Sequence, residues 1–254
     1  MDADKDLQQV KKRLLELAKR SYSQNVYTFT PFLGLLEQQA YHEIGGQLSY
    51  AGCQMDGGCP LCERKMIRFG NEESLGYAQP YPICCLQIAP LHLKFAENLT
   101  HRDYLGAVMN LGVERDTLGD IFVQDKEAYL FCQESIATFL TEQLVQVRRT
   151  RVKCLVSEVP GQLAVPALES VTVSVASPRI DGVVSKLYHM ARSESQELFE
   201  MGKVYVNGRL TGSGSYLLKT DDTVTVRGYG RFIYTGGQGE TRRGKQRICV
   251  KIYR

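Results

Sequence analysis

Arg179-Ile-Asp-Gly-Val-Val-Ser-Lys186, Ala191-Arg-Ser-Glu-Ser-Gln-Glu-Leu-Phe199 and Gly202-Lys-Val-Tyr-Val-Asn-Gly-Arg209 follow one another in close succession. Read physically, they are two short helices and a hairpin with cations on one side. Ser193 with Gln196 reads as a capping box for the second helix, and Gly202 stands where that helix stops. Asn207-Gly208 is a strong hairpin signal. Asp221-Asp222 marks another turn, before the strand-like Thr223-Val-Thr-Val-Arg-Gly-Tyr229. Arg179 and Lys186 sit on the first helix, Arg192 and Ser193 open the second, and Lys203 and Arg209 bracket the hairpin strand. Such a cluster fits a phosphate backbone, where Arg and Lys gain affinity by releasing counterions.

The charge balance agrees. The chain of 254 residues carries a net charge of only +3, but unevenly. From Pro178 to Arg254 there are fourteen Lys and Arg against seven Asp and Glu, a net +7, which leaves −4 on the rest. A basic third on a mildly acidic body points the C-terminal part at a polyanion. The bland alternative is a solvated charged surface. A hydrophobic content of 43% and a charged content of 23% are ordinary for a globular protein. No apolar run approaches the ~20 residues of a membrane span, and the charged, amphipathic N-terminus lacks a signal core. No membrane partner is expected. Eight Cys are too few for a disulfide scaffold and fit a reduced, cytoplasmic chain.

Ahead of the basic third, residues 5–20 predict a helix with Val10, Leu14, Leu17 and Ala18 on one face. Thr30 with Pro31 predicts a second helix start, running to about Tyr41. A Gly- and Cys-rich stretch ends in a strand at 65–69. Pro80-Tyr-Pro82 marks a boundary. Beyond it come a strand at 83–90, a helix at 101–111, strands at 118–124 and 128–133, a helix at 134–147 and a strand at 152–159. Ile136, Phe139, Leu140, Leu144 and Val147 share a face of that last helix. The order βαββαβ is that of a ferredoxin-like split βαβ unit, the architecture of RNA-recognition motifs. A connection at 160–177, with a strand at 170–176, leads into the last part. The expected fold class is therefore α+β in three small domains: 1–80, 81–165, and 170–254 with a basic tail.

The two-helix module resembles the RNA-binding domain named after ribosomal protein S-four of the small subunit. Two stretches together narrow the family. One is Leu99-Thr-His-Arg-Asp-Tyr-Leu-Gly-Ala-Val-Met-Asn-Leu-Gly-Val-Glu-Arg-Asp-Thr-Leu-Gly-Asp-Ile121; the other is Ser177-Pro-Arg-Ile-Asp181 with the module and Arg227-Gly-Tyr-Gly-Arg-Phe232. Over nearly the whole chain it resembles the YlmH family of bacterial RNA-binding proteins. That resemblance implies an N-terminal α+β domain, an RNA-recognition-motif-like domain and the S-four-type module. It also implies a cytoplasmic, monomeric, non-catalytic protein of ribosome-associated quality control, whose partners are rRNA or tRNA on an obstructed large ribosomal subunit. One departure is the Gly- and Cys-rich run from Cys53 to Cys62, where the family pattern passes more directly into Glu63-Arg64-Lys65. Another is Ala191, where many such modules have Ser.

The RNA-contact candidates are Arg179, Lys186, Arg192, Ser193, Gln196, Lys203, Asn207, Arg209, Arg227 and Arg231. Asp181 reads as orienting Arg179 or capping the first helix, and Asn207 as a contact or a turn residue only. Secondary candidates are His101, Arg102, Arg148, Arg149 and Arg151. His101 beside Asp103 invites a general-base reading, but consecutive helical residues point apart, so capping and RNA contact are preferred and no catalytic residue is assigned. Tyr129 and Phe131 share a strand face; they stack bases if that face is open and are core if it is covered. Cys59-x-x-Cys62 lacks the second pair a structural zinc needs, so free thiols are expected, with no metal and no cofactor. The alternative function is an RNA-modifying enzyme, since Arg179-Ile180-Asp181 echoes the Arg-Leu-Asp of pseudouridine synthases. Too few residues follow it to build a large catalytic sheet domain.

Overall fold

The computed structural model describes residues 2–161, 163, 168–241 and 244–253. The chain forms two compact units, Met1–Ala164 and Val165–Arg254, of mixed α and β structure with antiparallel sheets.

The first unit opens with α1 (Asp2–Gln24), β1 (Thr28–Phe29), α2 (Leu35–Leu48), β2 (Cys53–Asp56), β3 (Met66–Phe69) and the single turn α3 (Glu72–Leu75). Leu14, Leu17 and Ala18 of α1 pack on Ala40, Ile44 and Leu48 of α2 and on Ile67 and Phe69 of β3. These are the apolar positions that recur at helical spacing. Thr30 and Pro31 do not start α2. Thr30 Oγ1 instead accepts from Ile67 N and donates to Pro31 O. The helix begins after Gly34, whose N–H donates to Glu37 Oε2 at 2.6 Å. A side-chain acceptor three residues on outcompeted the proline signal.

Next come β4 (Ile83–Pro90), α4 (His101–Met109), β5 (Leu118–Gln124), β6 (Glu127–Gln133), α5 (Glu134–Gln143), β7 (Gln146–Val147) and β8 (Thr150–Ser157). The sheet order is β5-β6-β4-β8-β7, with every neighbour antiparallel. Both helices cover one face of it, around Leu86, Ile88, Tyr104, Val108, Leu130 and Leu140. α5 is shorter than its apolar pattern predicts: the chain leaves the helix at Leu144 and turns into the β7–β8 hairpin. Phe139 accordingly stands 42% exposed while Leu140 is fully buried.

The opposite sheet face is partly covered by the preceding segment, through Phe32, Cys59, Cys62 and Met66 against Cys85 and Phe131. A polar clamp holds this layer down. Asp120 accepts the backbone N–H groups of Glu63 and Arg64 at 2.6 and 2.8 Å. The Arg64 guanidinium donates to Leu118 O and Phe32 O, and Arg115 donates to Leu118 O. The segments on either side of Pro80-Tyr-Pro82 pack on each other within the first compact unit. Gly119 lies under this joint. A Cβ there would sit 2.9 Å from the Phe32 ring and 3.0 Å from Phe131 Cβ. Gly119→Ala is expected to lower stability by about 1–3 kcal/mol, as overpacked cores do. A melting temperature equal to wild type would show that the layer is not tightly seated.

The second unit contains β9 (Leu168–Val175), α6 (Ile180–Leu187), α7 (Arg192–Glu200), β10 (Val204–Val206), β11 (Arg209–Leu210), β12 (Thr223–Val226), β13 (Gly230–Glu240) and β14 (Gln246–Tyr253). Its sheet runs β11-β10-β12-β13-β14-β9, antiparallel throughout. α6 and α7 close one face over Val224, Phe232, Ile248 and Val250. The Gly-rich tail, read from sequence only as basic and Gly-rich, supplies the long β13–β14 pair and two register shifts. Arg242 and Arg243 of that tail and the C-terminal Arg254 lie outside the described residues.

Candidate nucleic-acid interface

Two helices and one loop build the basic site. Ile180, Val183, Val184 and Leu187 bury one side of α6 and leave Lys186 exposed on the other. The start of α6 is held by the loop before β12: Ile180 N donates to Tyr216 O and Asp181 N to Gly214 O. Ser195, fully buried on α7, donates to Asp181 O at 3.0 Å and ties the helices together. The capping box lies two residues earlier than expected: Ala191 is the N-cap, and its N–H donates to Glu194 Oε2. Ser193 and Gln196 are thus exposed residues within α7. The Glu at the third helical position, rather than Gln196, sets the frame.

Arg179, Lys186 and Arg192 line a single hollow of about 110 Å³, together with Ser174, Gly182 and Lys245. Lys245, from the β13–β14 connection, was missed by the sequence reading. Its signal was the basic tail, but nothing local said that the tail returns to the helices. Asp181 orients Arg179, while the N-cap position of α6 is Arg179 itself, with no side-chain cap bond. The Asp181 carboxylate accepts from Arg179 Nη2 at 2.9 Å and Nε at 3.2 Å, and from Gly182 N at 2.7 Å. This pairing raises the Arg179 pKa further and holds the exposed guanidinium in one orientation.

The other candidates are placed apart from this hollow. Lys203 and Arg227 lie side by side where β10 meets β12, with Arg227 N donating to Lys203 O. The Arg227 guanidinium is 5.2 Å from the Tyr205 ring centroid. Arg209 is exposed on β11, and Arg231 is half-buried on β13. Asn207 serves the turn: its Nδ2 donates to Asp222 Oδ1, and its Oδ1 accepts from Thr223 N.

In the first unit, Arg102 and Arg148 share a shallow groove with Asp103, Asn110 and Gln146. Arg148 and Arg149 form the tip of the β7–β8 hairpin, with Arg148 at φ +51°. Arg151 is exposed on β8. Asp103 is engaged away from His101. Its carboxylate accepts from Thr100 N and Oγ1 at 2.8 and 2.7 Å and pairs with Arg148 Nε at 3.0 Å. These bonds hold its pKa below the usual carboxylate range. His101 is exposed, and partial desolvation, with Arg115 and Arg102 nearby, lowers its pKa against the pull of Asp120. Of the two strand aromatics, Phe131 is fully buried under the covering layer. Tyr129 is half-buried with its hydroxyl toward Glu127 and Gln87. The face is covered where Phe131 stands, so this residue is core.

Comparison with known proteins bears on the middle of the chain most directly. Residues 79–160 match the family described as the putative RNA-binding domain in YlmH. The ribosome-associated protein quality control protein P2 of Bacillus subtilis (strain 168) is 28% identical over 227 residues, spanning 87% of this chain and 86% of that protein. Among solved structures, the cell division protein ylmH from Streptococcus pneumoniae is 23% identical. It aligns to 59% of this chain and 90% of its own, with a TM-score of 0.46. The domain match and the long alignment to the Bacillus protein agree in their direction: this chain is similar to the YlmH proteins, most directly over residues 79–160.

Proposed function

We propose that this protein is a non-catalytic RNA-binding protein that works in the cytoplasm as a monomer on the ribosome. It holds rRNA or tRNA of an obstructed large subunit during ribosome-associated quality control. The observation that carries the reading is the hollow ringed by Arg179, Lys186, Arg192 and Lys245, in the part of the chain with net charge +7. Cations converging from two helices and a hairpin connection suit a folded phosphate backbone better than a small anion. The arrangement of α6, α7 and β10–β12 supports the S-four-type reading of this unit. The βαββαβ sheet supports an RNA-recognition-motif-like middle domain, although its covered face makes base stacking at Phe131 a poor mode of contact. The name of the Bacillus relative supports the ribosomal assignment.

Affinity purification of the full chain from bacterial lysate, followed by gradient sedimentation and RNA sequencing, tests this directly. Large-subunit rRNA together with tRNA is expected to co-purify, and to dissociate steeply as salt rises. Recovery of messenger or small-subunit RNA in its place would reject the ribosomal assignment.

A further inference from the structure

The Cys59-Pro-Leu-Cys62 loop takes no part in the RNA reading. Both cysteines are free and buried, at 8% and 2% exposure. Their sulfurs lie 3.3 Å apart. The loop that carries them is held on every side. Cys62 N donates to Cys59 O at 3.1 Å, closing the turn. A Cβ on Gly57 would fall 2.4 Å from Cys62 Cβ, and Gly58, at φ +97°, lies against the Phe131 ring. The next two residues, Glu63 and Arg64, hang by their N–H groups from Asp120. The juxtaposition of the sulfurs is thus set by the backbone and not by two freely turning side chains. Among the described residues no third metal-ligating group joins them.

We propose that Cys59 and Cys62 are a redox modification site, oxidised to an intramolecular disulfide by a low-molecular-weight disulfide. Cys59, the more exposed, loses its proton and attacks one sulfur of RSSR. The S–S bond of RSSR breaks and RS⁻ leaves, taking up a proton to become RSH. Cys62 then loses its proton, attacks the Cys59 sulfur of the mixed disulfide and expels the second RS⁻, which is protonated in turn. The protein gives up two electrons and two protons, and RSSR becomes two RSH. A disulfide needs the sulfurs at about 2.05 Å, so closure asks for little more than ~1 Å of movement. Burial and the neighbouring Asp120 push the Cys62 thiol up. The greater exposure of Cys59, at 8% against 2%, lets it meet RSSR first, and the buried Cys62 beside it resolves the mixed disulfide.

The test uses the folded full chain in mixtures of oxidised and reduced glutathione, followed by acid quench, denaturation, alkylation with N-ethylmaleimide and mass spectrometry of tryptic peptides. Cys53, Cys59 and Cys62 fall together on the peptide Ser21–Arg64. The expected product is that peptide lighter by two hydrogens with a single N-ethylmaleimide, restored by dithiothreitol. Cys53→Ser should leave the closure intact. Cys62→Ser should trap glutathione on Cys59, and Cys59→Ser should give neither product. Circular dichroism of each variant separates loss of the site from loss of the fold. Alkylation of every thiol after oxidation would overturn the assignment. So would a bridge that uses Cys53, a bridge across the strand partners Cys84 and Cys132 in place of this one, or closure seen only in urea.

Discussion

Asp120→Ala is expected to cost about 3–5 kcal/mol of stability, the scale for removing one partner of an enclosed ionic group. The substitution leaves the N–H groups of Glu63 and Arg64 without the acceptor they share. It also removes the carboxylate beside the Arg64 and Arg115 guanidiniums. Both N–H groups lie in a partly buried layer, where an unmet donor costs about 1–3 kcal/mol. Enclosure itself raises the Asp120 pKa, while the two backbone bonds and the two guanidiniums pull it down. Asp120→Asn separates these contributions. It keeps an oxygen acceptor and removes the charge, and should lose less than the Ala variant. Differential scanning calorimetry of the full chain is the suitable measurement, because the chain has no Trp. At this size about 1 kcal/mol corresponds to roughly 2–4 °C, so a drop on the order of 10 °C is expected for Asp120→Ala. A shift under about 2 °C would mean that the clamp does not hold the covering layer.

Removing the cations of the hollow has the largest expected effect on binding. The combined variant Arg179→Ala, Lys186→Ala and Arg192→Ala should weaken RNA or ribosome binding on the order of 10²-fold near 0.1 M salt. The slope of log affinity against log salt should shrink by about three. All three side chains are exposed, so the melting temperature should stay near that of wild type. Loss of Arg179 frees Asp181 from its ion pair, but the carboxylate keeps its bond from Gly182 N. Adding Lys245→Ala should lower the slope by about one more if the hairpin connection touches the same backbone. Binding and salt dependence equal to wild type in the triple variant would remove the site from this hollow. The hairpin Arg148-Arg149 with Arg102 and Arg151 would then be the next place to look.

Local chemistry made several parts legible. The α1 face of Leu14, Leu17 and Ala18, the Asn207-Gly208 turn and the order β4, α4, β5, β6, α5, β8 all follow from spacing within a few residues, whereas β7 was hidden in the apolar pattern of the helix before it. The convergence of Arg179, Lys186 and Arg192 was legible for the same reason, since two adjacent short helices can present them only a turn or two apart. Other features were decided by contacts between residues far apart in the chain. Lys245 reaches the hollow because β14 folds back along β9, which no neighbouring residue announces. Phe131 is core because Phe32 and the Cys59–Cys62 loop cover a face that its alternating strand leaves ambiguous. The proline signal at Thr30-Pro31 lost to Glu37 because Thr30 found a better partner in Ile67. Periodicity reports which side of an element is apolar. Only the tertiary structure determines what lies against that side, because burial, unlike propensity, belongs to pairs of segments that chain order does not bring together.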